Sequence, residues 1–340
     1  MNKKSVYIIA EVGPNHQGSL TKAKKYVSKL ASIGVDAVKF QIGQAEEHYS
    51  LDSIKPRYQK KNIKNDLHII QQAKKRLLNF KDHLVLANEC KKFKVDYICS
   101  AFDLKSLKFL TKNINFPYYK IPSAEIIAMD CLKYIAKKNK PIILSTGMAS
   151  KKEIKFALKI LNKFKRKKIV ILHCVSSYPT NLKNLNLDFM LELKKLFKYP
   201  VGLSDHTIGE LASIAAAANG ASIIEKHVTF DRSLSGPDHK ASMKISDFKI
   251  LIQKIRTIEE MKGRRKKIIT KDEKNNSRAL RKSCVAGKNL KIGDQIKLEN
   301  LNFKRPGFGI SPVDVKKILN KKVKKEIKKD RLIKISNLKW

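Results

Sequence analysis

The sequence predicts an α/β protein, a (β/α)8 TIM barrel followed by a small, mostly β domain at the C-terminus. Over the first part of the chain, apolar runs of strand length alternate with helix-length periodic segments eight times. Eight such units in about 260 residues match the size of this barrel. Polar residues follow the predicted strands, which is where a barrel carries its site. After residue 282 the alternation ends and turn-rich sequence takes over.

Each predicted strand is a short apolar run bounded by polar or turn residues. The eight runs are residues 6–11, 37–41, 97–100, 118–121, 141–145, 169–174, 199–203 and 221–224. Parallel strands in one sheet need a crossover connection, and helical periodicity is present in the gaps. The predicted helices are residues 21–33, 81–93, 105–111, 129–137, 151–164, 187–197, 209–219 and 246–261.

Two segments depart from this alternation. Residues 42–74 form a polar connection that is too long for an ordinary loop, so we expect a binding loop there. Residues 263–282 are polar and basic and are typical of a linker. Beyond them, residues 283–286 are strand-like and residues 313–319 predict a short helix. The predicted organisation is therefore a barrel domain (1–262), a linker (263–282) and a small domain (283–340) that would be marginal alone.

The composition bounds the function. The formal net charge is +43, but lysines are spread along the whole chain and arginine is scarce, so we expect no specific nucleic-acid partner. The charge still favours anionic substrates.

No apolar run reaches 18 residues and no signal-peptide pattern is present, which predicts a cytoplasmic protein without a membrane span. The cysteines are odd in number and form no C-x-x-C pair, so we expect reduced, buried thiols; they are Cys90, Cys99, Cys131, Cys174 and Cys284.

Two histidines follow the last two predicted strands. The first run leads into Ser204-Asp205-His206 and the second into Glu225-Lys226-His227. Because adjacent parallel strands end at the same edge of a sheet, His206 and His227 are expected to be neighbours. Two neutral imidazoles suit a divalent metal with open coordination positions. Asp238, in the following Pro-Asp turn, would place a carboxylate above the same rim.

Two lysines, Lys39 and Lys120, lie inside otherwise apolar strands. Burying a lysine in such a strand is unfavourable unless an anion lies next to its ammonium group. One interpretation is an internal ion pair with Glu11 or Glu125. The other is a clamp for a phosphate or carboxylate, with hydroxyl donors from Ser100, Ser123 and Ser145. The second interpretation predicts a site for a phosphorylated, carboxylated small molecule beside a metal.

Several motifs, in this order along the chain, resemble the sialic acid synthase family. They are IIAEVGPNHQGSL, DAVKFQ, KIPSAEI, LSTGM, GLSDHT, IIEKHVTFD and GPDHKAS. The segment SCVAGKNLKIGDQIKLENLNFKRPGFGISP resembles that family's C-terminal antifreeze-like (SAF) domain. The resemblance covers essentially the whole chain. It implies a metal-dependent transferase that condenses phosphoenolpyruvate with an N-acylated hexose and water, giving a nonulosonic acid and phosphate.

The resemblance also implies a role for each matching residue. His206 and His227 would hold the divalent ion, with Mn²⁺ as first choice and Mg²⁺ or Co²⁺ as alternatives. Glu11 and Glu225 would act at the reacting centre. Phosphoenolpyruvate would contact Lys39, Ser100, Lys120, Ser123, Ser145 and Ser204. The sugar would contact Gln41, Asn62, Glu125, Tyr178, Asp238 and Arg305. Arg305 is similar to an arginine that reaches the partner subunit's site, which implies a domain-swapped homodimer.

Some positions near the substrates depart from the family pattern, including Ser100-Ala101-Phe102 and Ser176-Ser177-Tyr178. They leave the identity of the sugar open. N-acetylmannosamine, giving N-acetylneuraminate, is the first choice. A 2,4-diacetamido-trideoxyhexose, giving a legionaminate-type product, is the alternative. A barrel aldolase acting on another aldehyde and a non-catalytic carbohydrate-binding protein are the competing interpretations.

Overall fold

The computed structural model describes residues 5–63, 67–164, 167–263 and 266–340. Eight parallel strands close into a barrel, because β1 pairs with both β2 and β8. The barrel strands are β1 (Tyr7–Glu11), β2 (Ala37–Ile42), β3 (Asp96–Ala101), β4 (Tyr119–Ile121), β5 (Ile142–Ser145), β6 (Ile169–Cys174), β7 (Val201–Asp205) and β8 (Ile223–Thr229). The predicted TIM barrel is confirmed.

Helices surround the barrel and connect its strands. They are α1 (Leu20–Ala31), α2 (Ala45–His48), α3 (Arg57–Asn62), α4 (Ile69–Arg76), α5 (Phe80–Lys92), α6 (Leu104–Asn113), α7 (Met129–Ala136), α8 (Lys151–Leu161), α9 (Phe189–Phe197), α10 (Leu211–Ala218) and α11 (Ile245–Met261). A two-residue strand, β9 (Met243–Lys244), extends the sheet from β8. Among the described residues, no helix has the length and apolar character that crossing a membrane requires.

The apolar core has two layers in the barrel. The larger layer packs the helices against the outside of the sheet. The smaller one fills the barrel interior with Ile9, Ala37, Ile98, Ile143, Leu172 and Ile223. Each of these residues lies two positions before a polar or cysteine side chain that faces the other end of the barrel, so the interior is apolar on one side of that level and polar at it.

Strands β7 and β8 run further than the apolar pattern predicts. We expected them to stop at residues 203 and 224, where the charges begin, but they continue to Asp205 and Thr229. The extra residues are buried because their polar groups have partners inside the protein. Lys226 Nζ lies 2.8 Å from Asp205 Oδ2 and also donates to the Thr207 carbonyl at 2.7 Å. This buried pair joins the two strands immediately before each histidine.

The long connection after β2 contains α2, α3 and α4, of which the sequence analysis predicted none. Helix α4 is stabilised at its start by a capping box between His68 and Gln71. Three residues of this connection, 64–66, lie outside the described residues, as do residues 264 and 265 of the predicted linker.

The chain divides after Gly263 into two units. The second unit begins with α12 (Lys271–Leu280), a helix inside the stretch predicted as a linker. Its Thr270 cap accepts the Glu273 N–H while the Glu273 carboxylate accepts the Thr270 N–H, which offsets a sequence poor in apolar residues. Strands β10 (Ser283–Ala286) and β11 (Leu301–Lys304) pair antiparallel over a small apolar core. The predicted helix at residues 313–319 is a 3-10 segment, Pro312–Lys317.

Candidate active site

A cavity of about 850 Å³ opens at the carboxyl ends of the barrel strands. Every barrel strand contributes to its lining, through Glu11, Lys39, Gln41, Ser100, Lys120, Ser145, Cys174, Ser204, Glu225 and His227. The strand register explains this convergence. Glu11 is paired with Lys39 on one side and with His227 on the other, and Ser204 is paired with Glu225. One level of the barrel therefore collects carboxylates, ammonium groups and imidazoles.

Most of the residues assigned from the sequence meet in this cavity. Besides the strand residues, Ser123, Tyr178, His206 and Asp238 line it. Asn62 and Glu125 lie just behind the lining. Asn62 Nδ2 donates to the carbonyl of Pro237, a lining residue, at 2.8 Å, and Glu125 Oε1 lies 4.0 Å from Nδ1 of another, His48. Arg305 is exposed in the C-terminal unit, so its role stays a prediction.

The two strand lysines lie in a buried cluster of four charges. Lys39 Nζ is 3.3 Å from Glu11 Oε2 and 3.2 Å from Glu225 Oε2. Lys120 Nζ is 3.6 Å from Glu225 Oε1 and donates to Ser145 Oγ at 2.8 Å. The predicted ion pair with Glu11 is thus present, at Lys39, whereas neither lysine pairs with Glu125. Both lysines pair with Glu225. Both lysines also line the cavity, so an entering anion can reach them.

The cluster fixes which groups are charged. Burial raises the pKa of Glu225, but Lys120 and Lys39 outweigh it and hold this pKa at about 2. Burial lowers the pKa of Lys39, but Glu11 and Glu225 outweigh it and raise this pKa above its usual value. Lys120 has less compensation, so burial lowers its pKa to about 8. Burial raises the pKa of Glu11 despite the nearby Lys39.

The two histidines lie side by side, with ring centroids 5.4 Å apart. His206 Nδ1 is 2.9 Å from the Val175 carbonyl oxygen, so Nδ1 carries a proton and donates it, and in the neutral ring Nε2 has its lone pair. Burial lowers the pKa of His206, but Cys174 outweighs it and raises this pKa above its usual value. His227 Nδ1 is buried and has no hydrogen-bond partner among the residues that the structure describes, and Asp238 Oδ2 is 3.8 Å away. Burial lowers the pKa of His227 well below its usual value, so this ring is neutral.

These residues fit a divalent ion that has few protein ligands. Neutral imidazoles with a free nitrogen are metal-ligating groups, and the orphaned His227 nitrogen requires a partner of some kind. Within the described ranges, no group of three or more His, Cys, Asp and Glu side chains is arranged to hold a metal. An ion at His206 and His227 would therefore take its other ligands from water and substrate.

One wall of the cavity lies largely in the predicted binding loop, residues 42–74, although its lining residues were not assigned from the sequence. It comes from the connection between β2 and β3 and includes Tyr58, Ile69, Ala73, Arg76 and Leu77. The Tyr58 ring stacks on that of Tyr178 with centroids 4.8 Å apart. The only signal in the sequence was the unusual length of the connection, because its helices are short and polar and α4 spans only eight residues.

The chain is similar to known proteins over most of its length. The NeuB family profile matches residues 26–267 and the SAF domain profile matches residues 281–339. The chain is 43% identical over 332 residues to N,N'-diacetyllegionaminic acid synthase of Campylobacter jejuni, covering 97% of this chain and 99% of that one. It is 36% identical to the protein of that name from Legionella pneumophila, covering 93% and 90%.

The chain is also similar in fold and sequence to a protein of known structure. The crystal structure of N-acetylneuraminic acid (sialic acid) synthetase from Leptospira borgpetersenii, in complex with citrate, superposes with a TM-score of 0.72. It is 32% identical, and the match covers 80% of this chain and 90% of that one.

Proposed function

Because the chain belongs to the NeuB family and carries a SAF domain, we propose that it condenses phosphoenolpyruvate with an N-acylated hexose and water. The products are a nonulosonic acid and inorganic phosphate. The enzyme is thus a C–C bond-forming transferase of carbohydrate biosynthesis. The observation that carries the proposal is the buried Lys39 and Lys120 pair, which faces a cavity beside two metal-competent histidines.

The proposed sugar is a 2,4-diacetamido-trideoxyhexose, which gives a legionaminate-type product. Two relatives that cover at least nine-tenths of this chain carry that product in their names, which supports this sugar over the N-acetylmannosamine expected first from the sequence. N-acetylmannosamine stays as the second candidate, because the solved Leptospira relative is an N-acetylneuraminic acid synthetase.

Phosphoenolpyruvate carries a phosphate and a carboxylate, and the strand ends supply groups for both. Lys39 and Lys120 offer two ammonium groups, and Ser100, Ser123, Ser145 and Ser204 offer hydroxyl donors around them. In the absence of an anion the lysines are held by Glu11 and Glu225. The carboxylates keep the lysines extended into the site, so less reorganisation is required when the substrate binds.

The reaction forms one C–C bond. The methylene carbon of phosphoenolpyruvate attacks the aldehyde carbon of the open-chain sugar, and positive charge develops on the carbon that bears the phosphate. Water adds to that carbon, and phosphate leaves by cleavage of its C–O bond, which gives the 2-keto acid. Glu11 and Glu225 flank Lys39 at this level, so either can stabilise the positive charge or accept a proton from the water.

The sugar would contact residues that lie beside this cluster. Gln41 Nε2 donates to Glu11 Oε1 at 2.7 Å, and Tyr178 lines the same cavity. Asp238 Oδ1 is buried and has no hydrogen-bond partner among the described residues. A divalent ion, Mn²⁺ in the first instance, would be held by His206 and His227. When bound it supplies Lewis acidity toward a sugar oxygen.

The test is phosphate release from phosphoenolpyruvate in the presence of Mn²⁺. The 2,4-diacetamido sugar, N-acetylmannosamine and N-acetylmannosamine 6-phosphate are compared side by side. We expect sugar-dependent release, fastest with the diacetamido sugar, and a nonulosonic acid in equal amount by mass spectrometry. Folded, metal-loaded protein that releases phosphate with none of the three would contradict the proposal. It would favour another aldehyde or a non-catalytic carbohydrate-binding protein.

The metal assignment has its own test. His206→Ala and His227→Ala each remove one imidazole, so we expect metal-dependent turnover to fall by at least about 100-fold. Calorimetric titration with Mn²⁺ should show weaker binding in both variants, while circular dichroism shows an unchanged fold. Full activity of the His206→Ala variant in the presence of a chelator would rule out this metal site.

A further inference from the structure

Arg76 is the last residue of α4, and its side chain lines the cavity. Its Nη1 is buried, and no acceptor among the described residues takes a hydrogen bond from it. Burial lowers the pKa of Arg76 while Asp238 opposes the change, and the guanidinium stays charged because its usual pKa is so high. A buried donor without an acceptor is unfavourable, so Arg76 is poised for an acceptor that arrives with a ligand.

The surroundings of Arg76 indicate which substrate supplies that acceptor. Both ammonium groups assigned to phosphoenolpyruvate belong to strands β2 and β4, whereas Arg76 belongs to the wall formed by α3 and α4. Its electrostatic neighbours are Asp238, Tyr49 and Tyr58. Asp238 is assigned to the sugar, so Arg76 belongs with the sugar side of the cavity.

Helix α4 gives this wall a mixed character. Ile69, Ala73 and Arg76 follow the spacing of one face of α4, Leu77 comes directly after the helix, and all four line the cavity. The face is apolar except for the single guanidinium at its end. Such a surface suits a ligand group that combines a carbonyl oxygen with methyl groups.

The two candidate sugars differ in such groups. The diacetamido sugar carries an acylamino group at C4 and a methyl group at C6, where N-acetylmannosamine carries two hydroxyl-bearing positions. We propose that Arg76 is a specificity-determining residue that donates a hydrogen bond to the carbonyl oxygen of the 4-acylamino group. The apolar residues of α4 then pack against the methyl groups. This inference rests on the proposed function and names the part of the site that distinguishes the two sugars.

The test compares Arg76→Gln and Arg76→Lys with a control, Lys75→Gln. Lys75 precedes Arg76 on the same helix but is exposed, so its replacement removes the same charge without touching the cavity. For Arg76→Gln we expect kcat/KM for the diacetamido sugar to fall about 10- to 100-fold, with a change below about threefold for N-acetylmannosamine. Arg76→Lys keeps the positive charge but replaces the planar guanidinium with an ammonium group, so we expect an intermediate loss of kcat/KM for the diacetamido sugar. The KM for phosphoenolpyruvate and the activity of Lys75→Gln should not change.

An equal loss for both sugars would overturn the inference, because Arg76 would then bind a part common to them. A loss confined to N-acetylmannosamine 6-phosphate would also overturn it, in favour of a phosphate contact. If Arg76→Gln does not fold, as judged by circular dichroism, the Arg76→Lys variant decides by the same comparison.

A binding measurement separates this inference from the proposed function. Isothermal titration of metal-loaded protein with each sugar requires no turnover. If wild type releases no phosphate but binds the diacetamido sugar more tightly, and Arg76→Gln loses that preference, the proposed reaction fails and the inference stands. If wild type shows no preference in binding or in turnover, the inference is overturned.

Discussion

Lys39, Lys120, Glu11 and Glu225 form the most costly feature of the barrel interior. Removing four charges from water is unfavourable, and the mutual attraction of such groups often fails to repay it. Apolar residues would pack the same positions at lower cost, as Ile9 and Ile98 do one level below. The cluster is therefore better explained by the anion that it can receive than by stability.

The pH dependence of phosphoenolpyruvate use should report on Lys120. Burial lowers the pKa of this side chain to about 8, so it loses its charge as the pH rises through that value. We expect kcat/KM for phosphoenolpyruvate to fall above about pH 8 by up to tenfold per pH unit, because this ratio follows the free enzyme. Glu225, Lys39, Cys174 and Glu11 surround the group electrostatically.

Lys120→Arg is the informative variant, because a guanidinium stays charged throughout this range. Its residual kcat/KM for phosphoenolpyruvate should show no fall between pH 7.5 and about 9.5. The same fall in this variant as in wild type would assign the titration to another group.

The sequence predicted the individual residues of the site better than it predicted which residues they pair with. Lys39 and Lys120 were conspicuous because they interrupt apolar strands, and the two histidines because they follow matched strands. The partner of Lys120 was not predictable, because the register that places Glu225 beside it depends on the closed barrel. Arg76 escaped notice because nothing in a lysine-rich helix distinguishes one cation that faces a cavity.

Among the secondary-structure elements, the strands were predicted most closely. The residues predicted as β6 and β10 match the structure at both ends, because apolar runs with clear polar borders define them. The ends of β7 and β8 were missed, because their terminal polar residues are buried through partners distant in sequence. Helix α12 was missed because a capping box, rather than apolar periodicity, marks its start.

The contact between β7 and β8 gives a prediction at the level of these elements. A Cβ at Gly202 would lie 2.3 Å from the Ile223 carbonyl oxygen and 2.7 Å from Leu172 Cδ2. Because backbone cannot move aside cheaply, Gly202→Ala should destabilise the protein by about 1–3 kcal/mol. The two strands that carry His206 and His227 would separate slightly, so we also expect weaker Mn²⁺ binding. Urea unfolding and calorimetric titration measure the two effects.

Gly34→Ala is the matched control. Gly34 has a φ of +86°, and apart from its chain neighbours no described residue has an atom within 4 Å of a Cβ placed there, so alanine meets backbone strain but no clash. We expect a cost of about 1 kcal/mol and unchanged Mn²⁺ binding. Equal Mn²⁺ affinity in Gly202→Ala and wild type would show that the strand spacing does not control the metal site.

For the whole molecule, the sequence predicted both the architecture and the family. The ordered motifs at the strand ends made the family readable without a structure, because in a barrel those positions converge on one site. The sugar was not predictable in the same way. We propose that it depends on a wall contributed by the connection between β2 and β3, whose conformation follows from packing with the rest of the barrel.

The C-terminal unit is expected to complete the site through Arg305. This side chain is exposed, so it is accessible to a ligand or to another chain. Arg305→Ala should therefore raise the KM for the sugar at least about tenfold while changing the KM for phosphoenolpyruvate little. An unchanged KM for the sugar would show that Arg305 does not contribute to sugar binding.

Mixed dimers test whether the arginine crosses between subunits. His227→Ala destroys the barrel site of its own chain, and Arg305→Ala destroys only the contribution of the small domain. In a domain-swapped homodimer, a mixed pair contains one intact site, in which the barrel of the Arg305→Ala chain receives Arg305 of the partner subunit.

Equal amounts of the two variant chains are unfolded and refolded together. Because half the dimers are then mixed and each has one intact site out of two, we expect about a quarter of wild-type activity at low sugar concentration. If each arginine serves its own barrel, every site in the mixture keeps a defect and no activity returns. Size-exclusion chromatography with light scattering confirms that the refolded mixture and the refolded wild type are dimeric before their activities are compared.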